Sequence, residues 1–285
     1  MKDLLLHQRT AEELARLTSD TPHAIMLTGG DHSGKVHIAK AVAGEILSAD
    51  PEKHPHFMHI HPEKNTVTID QIRELQAFVK LRTTGKGRIR RIVLLQDAHL
   101  MTVEAQNAIL KILEEPPADT VLMLTVRGDT TLRPTIYSRT QNIFIRPITK
   151  QQAHSYSGDR HTAAEVDRAF MLSKGNPSLF IALVEGSDQH EMAVAITEAK
   201  TLLAASTFER LAKVDALSKD KERTANLFVA LKRIAQAALK STADRQDVKQ
   251  QTRWHGALKT AYETEALLAS TANTKLLLTD AFLSL

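Results

Sequence analysis

The chain has 285 residues, 42% of them hydrophobic and 4% aromatic, with 37 Lys+Arg against 33 Asp+Glu for a formal net charge of +4. That length buries a sizeable core and favours two or three domains over one, while the absence of cysteine excludes disulfides, thiolate zinc sites and cysteine nucleophiles. No apolar run approaches the roughly 20 residues that span a bilayer, and the opening MKDLLLHQRTAEELARL mixes charge with apolar residues unlike a signal peptide, so a cytoplasmic protein with no membrane contact is expected.

The first apolar run, AIMLT at 24 to 28, leads directly into GGDHSGKV at 29 to 36. This is a phosphate-binding loop with one alteration. Gly29 and Gly34 let backbone N–H groups wrap phosphates and Lys35 can reach the outer ones, but Val36 stands where a Ser or Thr hydroxyl would hold Mg²⁺. The second run, FMHI at 57 to 60, carries the cluster His54, His56, His59 and His61. On a short strand that spacing sends the rings to different faces, so no metal site is expected there. Thr68 and Gln71 form a capping-box pair ahead of Ile72, Leu75 and Val79.

Between 80 and 91 come six cations with no acid, Lys80, Arg82, Lys86, Arg88, Arg90 and Arg91; Lys86, Arg88 and Arg90 are candidate DNA contacts. The run RIVLL at 91 to 95 then ends in Gln96 and Asp97. Phosphate-loop nucleotidases place acids here, one holding Mg²⁺ and the next polarising water. Gln96 supplies no charge to a divalent ion, and Asp97 takes the place of the water-activating acid. Val36 and Gln96 thus weaken metal binding in the same direction. Thr102 opens a helix with Ala105, Ile109 and Ile112 on one face, closed by Pro116 and Pro117. The runs VLMLT at 121 to 125 and NIFI at 142 to 145 complete five strands of a parallel sheet covered on both faces.

After Pro147 strand signals vanish. Helical patterns surround Gly175, Asn176 and Pro177, and from about 190 the chain reads as a bundle, with Leu227, Leu231, Ile234 and Ala238 on one stripe and Leu267, Leu268 and Leu276 to Leu278 further on. Trp254, the single tryptophan, is expected in packing.

The run TVEAQNAILKILEEPP at 102 to 117, with TLRPTIYSRTQ at 131 to 141, HQRTAEEL and PHAIMLTGG upstream, IDQIRELQAFV at 69 to 79 and NTKLLLTDAFL at 273 to 283, resembles the clamp-loader group of AAA+ proteins, and within it the delta-prime family of bacterial DNA polymerase III. The resemblance implies an α/β plus all-α protein: an AAA+ phosphate-loop domain over 1 to 147, a small helical lid over 148 to 188, and a helical collar for oligomerisation over 189 to 285. It implies that Ser138 and Arg139 match a Ser-Arg-Cys element whose arginine acts in trans on a neighbour's ATP, with Thr140 in the cysteine position. The nucleotide-sensing arginine of active subunits falls near Ser178, and the four-cysteine zinc module of many members is missing.

The function so implied is that of a non-hydrolysing subunit, no enzyme by itself and with no resident ATP or zinc, in a hetero-pentamer with ATPase subunits and a clamp-opening subunit. Its further partners would be the sliding clamp and primer-template DNA, in replication. Two alternatives remain open: a hydrolysing subunit that tolerates Val36 and uses Asp97 for metal, and a stand-alone AAA+ adaptor that binds DNA.

Overall fold

The computed structural model describes residues 4–30, 33–84, 87–128, 130, 132–244, 247–268 and 273–285. The chain forms two compact units, 1–152 and 153–285. The first contains α1 (Gln8–Ser19), β1 (Ala24–Gly29), α2 (Lys35–Leu47), β2 (Phe57–Ile60), α3 (Ile69–Lys80), β3 (Arg91–Leu95), α4 (Val103–Glu114), β4 (Thr120–Arg127), α5 (Pro134–Tyr137) and β5 (Gln141–Phe144). The five strands make one parallel sheet in the order β2-β3-β4-β1-β5.

Alternate residues of the three central strands feed two separate cores. Met26, Val93, Leu95, Leu122 and Leu124 join Ile72, Leu75 and Ile109 on the face covered by α3 and α4. Ile25, Leu27, Ile92, Leu94, Val121 and Met123 join Leu14, Leu17, Ile38 and Val42 on the face covered by α1 and α2. Side chains of a strand point to opposite faces in turn, so a strand buried on both sides must be apolar throughout. The edge strands differ: β2 is half-buried and β5 exposes three of its four residues.

The helix ends follow from local chemistry. Thr68 accepts from the Gln71 N–H while the Gln71 side chain accepts from the Thr68 N–H, closing the capping box of α3. Thr102 caps α4 through the Ala105 N–H at 3.2 Å. At the other end of α3 the solution is unusual. Arg91, the first residue of β3, is 1% exposed, and its guanidinium donates to the carbonyls of Val79 and Leu81 with the Phe78 ring 5.2 Å away. One cation of the basic run is therefore a helix cap inside the protein, where it satisfies carbonyls that the helix leaves without partners.

The second unit is helical: α6 (Lys150–Ser157), which begins just before the boundary, α7 (Ala163–Ser173), α8 (Pro177–Glu185), α9 (Glu191–Ala204), α10 (Thr207–Ala212), α11 (Val214–Leu217), α12 (Lys221–Asp244), α13 (Val248–Leu268) and α14 (Thr274–Ser284). One core runs through it from Leu172 and Leu179 to Leu227, Phe228, Leu231, Leu278 and Phe282. The expected stripe on α12 is buried at Leu227 and Leu231. On α13 and α14 the apolar residues separate: Leu278 is buried and Leu268 packs on the core, whereas Leu267 and Leu276 are exposed. Trp254 is half-buried, with the Arg253 guanidinium 5.8 Å from its ring. Among the described residues no helix is long and apolar enough to cross a membrane.

Replacing Arg91 by Met should leave the buried Val79 carbonyl without its donor and the part-buried Leu81 carbonyl to water, and cost about 3 kcal/mol, with Arg91→Lys recovering part of the loss. Urea unfolding followed by circular dichroism measures it, and an unchanged midpoint would show that Arg91 does not carry the end of α3.

Candidate functional site

In an open parallel sheet, ligands bind outside the carboxyl ends of the strands where the strand order reverses. Here β1 lies between β4 and β5. The loop after β1, the Gln96–Asp97 turn after β3 and Gly128 after β4 meet at that edge. Gly128 donates its N–H to the Gly29 carbonyl at 2.9 Å. A Cβ on Gly29 would come within 3.1 Å of Ser33 Oγ and 3.2 Å of Ile145 Cβ, which is why the position takes no side chain. Gly34 caps α2 at φ 74°, a left-handed conformation that costs glycine little. Asp31 and His32, at the loop tip, lie outside the described residues.

Lys35 does not point into open space. It is buried, and its Nζ donates to the Gly30 carbonyl at 2.7 Å, the Gly29 carbonyl at 3.2 Å and Ser33 Oγ at 3.3 Å. Among the described residues three acceptors meet the ammonium, all of them in the loop itself. Val36 is partly buried and packs against the core that includes Ile38 and Leu27. Neither residue supplies oxygen to a metal.

The turn after β3 is held by a relay that the sequence does not advertise. Asp97, at φ 48°, donates its backbone N–H to Thr125 Oγ1 at 2.9 Å. Gln96 Nε2 donates to the Asp97 carboxylate at 3.1 Å, and Gln96 Oε1 lies 3.2 Å from His59 Nε2. Because a carboxylate only accepts, it orients the Gln96 amide, and the amide oxygen then requires the proton on His59 Nε2. Burial pushes the His59 pKa below its ordinary value, and nearby Lys40 adds to the effect, only partly offset by the bond to Gln96. His59 is thus a member of the site through its neighbour in the sheet. The other three histidines are not with it as a metal cage: His54 Nδ1 accepts from the His56 N–H at 3.2 Å, His56 Nε2 accepts from the Thr84 N–H at 3.2 Å, and His61 meets His59 only edge to face. Among the described residues no group of three or more His, Cys, Asp or Glu is placed to hold a metal ion.

Arg139 sits on a separate platform. The short helix α5 starts with the Arg133 N–H donating to Gln106 Oε1 of α4 at 3.3 Å and buries Ile136 completely. It ends with the Thr140 hydroxyl donating to the Ile136 carbonyl at 3.1 Å, so threonine serves at this position as a C-terminal cap. Arg139 Nη1 donates to the Thr135 carbonyl at 3.1 Å and Ser138 Oγ at 3.2 Å, and Nη2 pairs with Glu114 Oε1 at 2.9 Å. Ser138 Oγ in turn donates to the Thr135 carbonyl at 3.1 Å. With about a third of the side chain exposed, Arg139 hydrogen-bonds among the described residues through Nη1 alone and meets Glu114 as an ion pair at Nη2, which leaves donor capacity unused.

The basic segment is less open than its composition suggests. Arg90 pairs with Asp119 at 3.2 Å, and Arg88 donates to the Thr21 carbonyl at 2.9 Å while staying exposed. Lys86 lies outside the described residues. Burial pushes the Asp119 carboxyl up, but hydrogen bonds from Thr83 and Thr120 and the charges of Arg91 and Arg90 together hold it below the usual range. In the second unit Ser178 is half-buried in the first turn of α8, whose cap is Asn176 accepting from the Leu179 N–H at 3.1 Å.

Residues 7–149 match the family model described as DNA polymerase III, delta subunit. The chain is 36% identical over 136 residues to the DNA polymerase III subunit delta' of Pseudomonas aeruginosa, covering 41% of each chain. It is 34% identical over 139 residues to the protein of the same name from Escherichia coli, covering 47% of this chain and 41% of that one. The matched stretch is thus about two-fifths of the length of these relatives. In fold, a DNA polymerase III gamma subunit-related protein from Thermotoga maritima superposes with a TM-score of 0.54 at 20% identity, covering 96% of this chain and 97% of that one. With the AAA+ arrangement of sheet and phosphate loop and a family match over half its length, the chain belongs to the DNA polymerase III delta-subunit family, alongside relatives named delta'.

Proposed function

We propose that this chain is a non-hydrolysing clamp-loader subunit that donates Arg139 to the ATP site of an adjacent subunit. The observation that carries the reading is a contrast between two cations. Lys35, in the chain's own phosphate loop, is spent on the carbonyls of Gly29 and Gly30. Arg139 is braced at the surface with N–H groups to spare. A guanidinium supplied in trans neutralises charge that develops on the transferred phosphoryl group. Val36 packed against the core and Gln96 bonded to Asp97 leave a metal-bound nucleotide one carboxylate at most, so no hydrolytic step is assigned to this chain.

In this reading the chain after residue 147 comprises a lid, 148 to 188, and a collar, 189 to 285, in a hetero-pentamer with ATPase and clamp-opening subunits. The collar assignment is supported by exposed apolar side chains: Phe208 is 81% exposed on α10, and Leu276 and Leu283, seven residues apart on one face of α14, are 69% and 60% exposed. The complex would act in the cytoplasm on the sliding clamp and primer-template DNA, with Arg88 and Lys86 offering the basic segment's contacts and Arg90 tied back to Asp119.

Three outcomes are expected. The isolated chain with Mg²⁺ and ATP shows no turnover in a phosphate-release assay, and turnover abolished by Lys35→Ala would sink the non-hydrolysing reading. Arg139→Ala leaves assembly of the complex intact and slows single-turnover hydrolysis at the completed site by about ten-fold or more; an unchanged rate refutes the donated arginine. Phe208→Asp combined with Leu276→Asp keeps the circular dichroism spectrum but removes the chain from the complex on gel filtration, whereas normal co-elution would show that this face is not the collar contact.

A further inference from the structure

We infer that Glu114 is a positioning residue for Arg139, fixing the guanidinium relative to the sheet domain so that its unbonded N–H groups are held ready for an anion. The inference rests on the reading of Arg139 as a donated arginine. Of the three oxygens that meet that side chain, the hydrogen-bonded Thr135 carbonyl and Ser138 Oγ lie four and one residues away in the same turn, so they move with it. Glu114 belongs to α4 and is the only one of the three on another element.

Nothing in α4 itself favours an acid there. Glu114 is the last residue of the helix, where the carbonyl ends repel a carboxylate and a cation would be preferred. Its charge is met across the gap by Arg139 at 2.9 Å. The other end of α5 is tied to α4 as well, through Gln106 and the Arg133 N–H. The arginine platform is therefore braced on α4 at both ends, with Ile136 buried between them. A free arginine must lose the freedom of several rotatable bonds before it can bridge to a phosphate, and a pre-set fork loses less. The pair is solvent-accessible, with 34% of the Arg139 side chain and 51% of the Glu114 side chain exposed. It is therefore weak enough to hold orientation without sequestering the charge.

The test is steady-state ATP hydrolysis by the complex reconstituted with its ATPase and clamp-opening subunits on primed DNA. Glu114→Ala is expected to lower kcat about five-fold with KM for ATP unchanged, the equivalent of one exposed arginine–carboxylate contact. Glu114→Gln, which keeps the accepting oxygen, should recover to within about two-fold of the parent. In an Arg139→Ala background Glu114→Ala should have no further effect, because its influence passes through the arginine. Parental activity for Glu114→Ala beside a slow Arg139→Ala overturns the positioning role alone, as does an additive loss in the double variant. Parental activity for Arg139→Ala takes down the donated arginine and the positioning role together.

Discussion

The sheet domain depends on the burial of β1, β3 and β4, of whose residues only Arg127 at the end of β4 is half-buried. A strand with both faces in apolar cores can offer function nothing along its length, so polar chemistry is confined to the residues just past its end. That constraint places the loop after Gly29, the Gln96–Asp97 turn and Gly128 at one edge of the sheet. It also explains the fate of Val36: with the metal-binding hydroxyl replaced by a methyl group, the side chain joins the core under α2 that Ile38 and Leu27 already form.

Burial also dictates what happens to charge. Lys35 and Arg91 are both almost fully enclosed, and burying a cation is costly unless most of its donors are matched; of the Arg91 guanidinium, Nε alone finds no partner among the described residues. Both find backbone carbonyls: Lys35 those of the phosphate loop, Arg91 those at the end of α3. The two residues look alike in composition to the exposed cations around them. Their contribution is to bond backbone carbonyls that are buried or partly buried, which is a structural use of charge.

The site at Arg139 is built in the opposite way. Its platform is short, with Ile136 as the buried anchor and hydrogen bonds at both ends doing the positioning. The cation stays at the surface, held by one carboxylate and two local oxygens. A side chain in that setting leaves part of its donor capacity facing solvent. Within one chain, then, the phosphate loop has turned inward while the arginine faces outward.

Most of the fold was legible because its signals are local. The five apolar runs, the capping box at Thr68 and Gln71, and the stop at Pro116 and Pro117 depend on neighbours a few residues away. The family motif likewise pointed to Ser138 and Arg139, and the altered pattern to Val36 and Gln96. What the sequence by itself determined was therefore the set of elements, their order and the residue types left at the strand ends. Only the tertiary structure decided the pairings across long separations: Arg91 with the end of α3, His59 with Gln96 and Asp97, Glu114 with Arg139, and which leucines of α13 and α14 face the core. Hydrogen-bond partners and buried faces are set by which elements pack together, and spacing along a single strand or helix does not encode that.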